Sequence, residues 1–136
     1  MSEYVIMTDN TVDMPLSWFK EHQVDYLCLS CNMDGEIYDK EHVIEDKEFY
    51  RRMRAGSMPT TSQVNPTAAE EIFESVLKEG KDVLYLAFSS GLSGTYNSCR
   101  VAAEELRESY PDRKIEVIDT LAASMGEGLQ IGRAHV

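Results

Sequence analysis

Two short stretches concentrate the polar chemistry of the chain, Thr60-Thr61-Ser62-Gln63 and Ser89-Ser90-Gly91-Leu92-Ser93-Gly94-Thr95. The second lies between the apolar run Asp82 to Phe88 and a helical pattern, so it reads as a strand-to-helix turn. Two glycines there let the backbone approach a ligand closely, and the helix behind them offers unpaired N–H groups at the positive end of its dipole. Serine hydroxyls add donors without adding charge. A third turn, Thr8-Asp9-Asn10, closes the first apolar run. In open parallel sheets ligands sit beyond the carboxyl ends of the strands. The three turns are expected to converge there on a small anion, a carboxylate or a phosphate. The same glycines and serines also satisfy an ordinary tight turn with a capped helix, and both readings stand at this point.

Competing chemistries fit the spacing less well. A Walker A loop needs Gly-Lys-Ser/Thr, which the chain lacks. A serine hydrolase acting through Ser93 is the sharper rival, because Gly91-Leu92-Ser93-Gly94 resembles a nucleophile elbow. It lacks the residue that should separate Ser93 from the second glycine, and His22 and His42 precede the serine where that fold expects a later histidine. A phosphate or phosphosugar binder is the other alternative. Cys28-Leu29-Ser30-Cys31 has zinc or redox spacing, but it falls in or near a strand, where residues three apart face opposite sides, and no second pair completes a metal site. The reading is half-buried thiols, no metal and no cofactor. Glu70-Glu71 and Glu104-Glu105 read as solvated helix faces.

The elements that must position these residues alternate. Tyr4 to Thr8 reads as a buried strand, a helix is expected from Pro15 with Trp18 and Phe19 inward, and Val24 to Ser30 reads as one strand. Asp34-Gly35 predicts a tight hairpin turn before Glu36-Ile37-Tyr38. A helix is expected over Asp46 to Arg54, then a polar loop from Ser57 to Val64. Asn65 as N-cap with Pro66 behind it opens a helix carrying the stripe Ile72, Phe73, Val76, Leu77. Asp82 to Phe88 is apolar enough for burial on both faces, as in a parallel sheet. A long helix from Thr95 to about Tyr110, a strand from Lys114 to Ile118, and a last helix capped by Asp119-Thr120 complete the pattern. The expected fold is a three-layer α/β domain with a mostly parallel sheet.

Composition narrows the partners. The 136 residues carry 13 Lys+Arg against 24 Asp+Glu, a net charge of −11, and 43% are hydrophobic. That length holds one domain with a real core. A nucleic acid or an anionic bilayer would meet repulsion with little counterion release, and no run of about 18 apolar residues offers a membrane span. No basic, apolar leader is visible at Met1-Ser2-Glu3-Tyr4, and three cysteines suit reduced thiols. A cytoplasmic location is expected. Residues 131–136, Ile131 to Val136, spell the translation of a common sequencing adapter, so residues 1–130 are expected to be the natural domain and the last six a foreign tail.

Four motifs occur in order: Thr8-Asp9 with Asp13-Met14-Pro15; Pro59-Thr60-Thr61-Ser62-Gln63 with Pro66; Phe88-Ser89-Ser90-Gly91-Leu92-Ser93-Gly94-Thr95-Tyr96; and Val117-Ile118-Asp119-Thr120 followed by Ser124, Gly126 and Gly128. Together they resemble the DegV family of bacterial lipid-binding proteins, over Val5 to about Leu129. The resemblance implies an α/β first domain, a second domain of similar size, and one bound fatty acid such as palmitate. It further implies a carrier rather than an enzyme, which hands the acyl carboxylate to a fatty acid kinase. By the same resemblance Thr61 and Ser93 hydrogen-bond the carboxylate, while Ser62, Gly91 and Gly94 shape the pocket. The chain departs from the family at Asn10, where serine is usual, and at Val64-Asn65, which replaces Pro-Ser.

Overall fold

Alternation along the first strand sends Met7 into one apolar cluster and Ile6 into another, so the sheet it belongs to is covered on both faces. A computed structural model describes residues 3–135. Met1 and Ser2, part of the leader reading, and Val136, last of the adapter-like residues, lie outside them. The strands are β1 (Tyr4–Asp9), β2 (Asp25–Leu27), β3 (Ser30–Met33), β4 (Glu36–Tyr38), β5 (Thr60–Ser62), β6 (Asp82–Ala87) and β7 (Ile115–Asp119). The helices are α1 (Leu16–Glu21), α2 (Asp46–Arg54), α3 (Pro66–Lys78), α4 (Thr95–Ser109) and α5 (Ser124–Ala134), with a 3-10 turn at Asn10–Val12. The main sheet is parallel throughout, in the order β2-β1-β6-β7. One face packs on α3 and α4 through Met7, Val83, Tyr85, Phe73, Cys99 and Ala102. The other packs through Ile6 and Leu86 on Val12, Phe19 and Ile131. The three-layer α/β arrangement with a mostly parallel sheet is therefore as the sequence predicts.

Two local expectations differ. The single strand expected over Val24 to Ser30 is two strands in two sheets: β2 joins the parallel sheet, while β3 pairs antiparallel with β4 and β5 in a separate three-stranded sheet. The break falls at Cys28-Leu29, because the Asn10 amide takes both backbone groups of Leu29: its Oδ1 accepts from Leu29 N at 2.8 Å and its Nδ2 donates to Leu29 O at 3.2 Å. A side chain thus replaces the ladder for one residue. The polar loop from Ser57 to Val64 contains β5, whose Thr60, Thr61 and Ser62 pair with Asn32, Cys31 and Ser30. β-branched threonines suit this pleated edge.

Elsewhere local chemistry decides. Asp34 (φ 55°) and Gly35 (φ 87°) make the β3–β4 turn, the left-handed pair that a two-residue hairpin requires. Arg52 of α2 braces that hairpin, donating to Asp34, Glu36, Tyr38 and Met33 O. The last helix is not capped by Asp119-Thr120: α5 starts at Ser124 behind Ala123, and Asp119 accepts instead from Ser90 N and Leu121 N, both at 3.1 Å. α5 continues through residues 131–134, and Ile131 is fully buried against the sheet.

Asn65 caps α3 by accepting from Ala68 N at 2.8 Å, with Pro66 at the first helical position. Asn65→Ala should lower the unfolding free energy by about 1 kcal/mol and Asn65→Asp should leave it nearly unchanged, as urea denaturation would measure.

Candidate functional site

The main sheet changes direction between β1 and β6: the chain runs outward from β1 to β2 on one side and from β6 to β7 on the other. Ligands in open parallel sheets bind at such a switch point, outside the carboxyl ends of the strands. The two strands also part there. Their ladder stops at the pair Met7 and Tyr85, while β1 stays paired with β2 through Asp9 and Leu27. Side chains take over where the ladder stops. The Thr8 hydroxyl lies 2.8 Å from Leu86 O, and Asp9 Oδ2 accepts from Phe88 N at 2.9 Å and from the Tyr85 hydroxyl at 3.2 Å. Thr8 and Asp9, both fully buried, thus bridge β1 and β6 just before the turn that begins at Ser89.

That turn is firmly tied. Ser89 N donates to Ala122 O at 3.0 Å, Ser90 N to Asp119 Oδ1 at 3.1 Å, and Gly91 N to Ser89 Oγ at 3.2 Å. Ser93 is half-buried at the start of α4, where its Oγ accepts from Thr95 N at 3.2 Å and lies 3.0 Å from Thr95 Oγ1. Thr95 Oγ1 also accepts from Val64 N at 3.3 Å. Thr95 carries no free proton beyond its own, so a proton sent to Ser93 leaves the Ser93 hydroxyl hydrogen available to a ligand. None of the described histidines partners Ser93: His22, His42 and His135 each bond backbone carbonyl groups elsewhere.

The two hydroxyl-rich segments touch each other through residues whose roles the sequence did not disclose. A Cβ on Gly94 would fall 2.1 Å from Gln63 Oε1, so the close approach that this glycine permits is taken by Gln63. The Gln63 amide reaches Ser98 Oγ at 3.5 Å, and Val64 N reaches Thr95. Gly91 has ordinary room for a Cβ and is not forced sterically by its neighbours. Thr61 and Ser62 are both exposed on β5, and successive strand residues point to opposite faces, so they do not share a face. Thr95, wholly buried, is the residue whose role was missed. A β-branched hydroxyl beside a tight glycine at a helix start was the available signal.

Exposed apolar side chains occur on the Ser89 turn and on the segment after β7. Leu92 is 66% exposed, and Leu121, 76% exposed, is held in the left-handed region at φ 52°, a conformation that disfavours a bulky residue. Met125 and Leu129, one turn apart on α5, are also exposed. Between β2 and the start of α3 a groove of about 520 Å³ is lined by apolar Leu27, Val64 and Ile72 together with Cys28, Lys40 and Glu71. The Cys28 thiol is pushed up to about 11, first by burial and then by Asp39, so it is not a nucleophile at neutral pH. Among the described residues, no group of three or more His, Cys, Asp or Glu is placed to hold a metal ion, and no helix is long and apolar enough to cross a membrane.

Comparisons with known proteins identify the family to which this fold belongs. The family model described as "Uncharacterised protein, DegV family" matches residues 3–136. A DegV domain-containing protein of Clostridium perfringens is 47% identical over 133 residues, which are 96% of this chain and 46% of that protein. One from Streptococcus pyogenes is 43% identical over 127 residues, covering 92% of this chain and 44% of its own length. A solved structure described as the fatty acid binding of a DegV family protein from Thermus thermophilus matches with a TM-score of 0.84 at 36% identity, covering 98% of this chain and 46% of that one. A fatty acid (stearic acid)-binding protein from Eubacterium ventriosum matches with a TM-score of 0.87 at 30% identity, over 96% of this chain and 46% of that one. The chain spans about half the length of the relatives it matches. Sequence and fold together make the chain a member of the DegV family.

Proposed function

We propose that this chain forms part of a cytoplasmic carrier for a long-chain fatty acid such as palmitate, and that the carrier presents the acyl carboxylate to a fatty acid kinase. Thr61 and Ser93 hydrogen-bond the carboxylate, with Gly91 and Gly94 around them; Ser62, on the opposite face of β5, shapes the pocket only through the strand that carries Thr61. The observation that carries this reading is the contact between the two hydroxyl-rich segments at the start of α4, through Gln63 against Gly94 and Val64 N on Thr95. Thr61 stands two residues before Gln63, whose side chain meets Gly94, so β5 brings Thr61 toward the start of α4. Ser93 accepts both the Thr95 N–H and the Thr95 hydroxyl and donates its own hydrogen outward. The start of a 15-residue helix adds a favourable dipole for an anion.

The fatty acids named for the Thermus and Eubacterium relatives support a greasy carboxylate over a phosphosugar, and so do the exposed apolar side chains of Leu92, Leu121 and Met125. Burying about fourteen methylenes at ~0.8 kcal/mol each gives a gross term on the order of 11 kcal/mol, from which ordering removes a large share. The head-group bonds and the dipole add roughly 2–4 kcal/mol. Affinity therefore comes mainly from the tail, and Thr61 and Ser93 set its orientation. The kinase acts on the carboxylate that they hold, and the carrier itself performs no chemistry.

Native mass spectrometry of the protein purified from bacteria should show a copurified mass near that of a fatty acid. Thr61→Val and Ser93→Ala should each weaken palmitate binding on the order of tenfold by calorimetry; unchanged affinity in both would remove the head-group assignment. Thr95→Val leaves the buried Val64 N–H without its acceptor and should destabilise the fold by about 1–3 kcal/mol in urea, whereas Thr95→Ser should lose much less.

A further inference from the structure

Beneath the candidate site two acids are buried together. Asp9, at the end of β1, and Glu127, in the first turn of α5, are both fully buried. Glu127 Oε1 lies 2.9 Å from Thr8 Oγ1, and Glu127 Oε2 lies 2.9 Å from Thr11 Oγ1, which also contacts Asp9 Oδ1. Thr11 Oγ1 therefore bridges the two carboxyls, which lie close enough for the Asp9 charge to act on Glu127. Counting protons shows what this cluster needs. The hydroxyls of Thr8 and Thr11 face four acceptors, namely Leu86 O, Asp9 Oδ1 and both oxygens of Glu127. Each hydroxyl has one hydrogen. With both acids ionised, two contacts would set lone pair against lone pair in a site closed to water, and two like charges would lie side by side. One further proton on Glu127 removes the like-charge repulsion and one of the two clashes, because its acid group donates to Thr8 while Thr8 donates to Leu86 O, and leaves Thr11 to donate to one carboxyl at a time.

We propose that Asp9 and Glu127 share a single proton, and that this proton latches α5 onto β1 and holds the Phe88–Ser93 turn in place. The other end of the Asp9 carboxylate accepts Phe88 N, the residue before that turn. Ionising Glu127 therefore pushes against the group that positions Ser93. The titratable groups facing the pair are few. Tyr85 of β6 donates to Asp9, and burial followed by the Asp9 charge holds its phenol well above the ordinary value, so it remains a donor. Cys99 of α4 lies behind it, its thiol pushed up to about 12, first by burial. From the 3-10 turn the facing group is the Thr11 hydroxyl. Burial first, then the Asp9 charge and hydrogen bond, push Glu127 from 4.5 up to about 8. The latch stands whether or not the chain binds a fatty acid.

The sign of its pH dependence follows. Between pH 4.5 and about 8 the folded chain holds a proton that the unfolded chain has released, so stability is full below that window and is lost as pH rises through it. From about pH 6 to about pH 9 the unfolding constant of the wild type should rise on the order of a hundredfold relative to Glu127→Gln. The glutamine amide keeps one donor and one acceptor, so its profile should be nearly flat. Parallel profiles for the two proteins would overturn the proposal. Carboxyl carbon-13 NMR of the unmodified chain is independent of how the variant folds. A Glu127 resonance titrating near 8, with the Phe88 amide shifting at the same midpoint, is expected. A Glu127 titration at an ordinary glutamate value, or a Phe88 amide that does not follow it, would overturn the latch. Both measurements are made without ligand, so failure of the palmitate assignment leaves them readable.

Discussion

When two hydrogen-bonded strands part inside a protein, the backbone groups that faced each other must find other partners or remain costly. This constraint governs the carboxyl end of the main sheet. β1 and β6 are paired up to Met7 and Tyr85 and then diverge, because β1 follows β2 for two more residues. The Thr8 hydroxyl and the Asp9 carboxylate supply what the ladder no longer does, at Leu86 O and Phe88 N. Side chains, rather than backbone, bridge the two strands here, and the hydroxyl-bearing turn starts directly after the bridge. An apolar substitute for Asp9 would fill the space but leave Phe88 N unpaired at the residue that leads into the turn.

A chain with a net charge of −11 that seats a carboxylate must do so locally. Basic residues that might have served are engaged elsewhere: Arg52 with Asp34 and Glu36, Lys78 with Glu74, Arg100 with Glu104. What remains at the start of α4 is a set of neutral donors. Neutral donors are weaker than guanidinium, yet under the proposed function they would hold the anion without adding the long-range attraction that would recruit every metabolite phosphate. At physiological salt charges beyond about 8 Å are largely screened, so the acidic surface slows approach without cancelling a close hydrogen bond. Selectivity then rests on the apolar tail.

The sequence revealed those parts of the fold that are decided within a few residues. Asp34-Gly35 as a hairpin turn and Asn65-Pro66 as a helix start are local chemistry, and both appear as read. The alternation of strands and helices was legible because burial on both faces leaves an apolar run such as Asp82 to Phe88. What escaped depends on distant partners. No local signal says that the Asn10 side chain will interrupt a strand 19 residues away at Leu29, or that Thr60–Ser62 will find an edge to pair with. The glycines of the turn were legible as places of close approach, but the group that approaches Gly94, the amide of Gln63, was not. Glu127 is a further case. Between two glycines on a short helix it looks like any surface acid, and only its contact with Thr8, 119 residues away in sequence, makes it a buried one.

Glu127 also bears on why polar groups are retained in a core at all. Buried ion pairs and acid clusters are seldom worth more than the apolar side chains that would replace them, so stability alone gives no reason for this one. Orientation gives a reason. α5 packs on the sheet through Ile131 and on Val12 and Met14 through Gly128, contacts that tolerate sliding along the helix axis because dispersion has little direction. The Thr8, Thr11 and Asp9 contacts to Glu127 do not tolerate it, since hydrogen bonds weaken steeply off their preferred distance and angle. They fix the helix relative to the end of β1, and with it the approach of Ala122 O to Ser89 N, which anchors the turn from its far side. The same cluster therefore holds the entry to the turn from both sides, Phe88 through Asp9 and Ser89 through α5. A packed but purely apolar substitute would keep α5 on the sheet without fixing its position along the axis, and the link from Glu127 through Asp9 to Phe88 N would be lost.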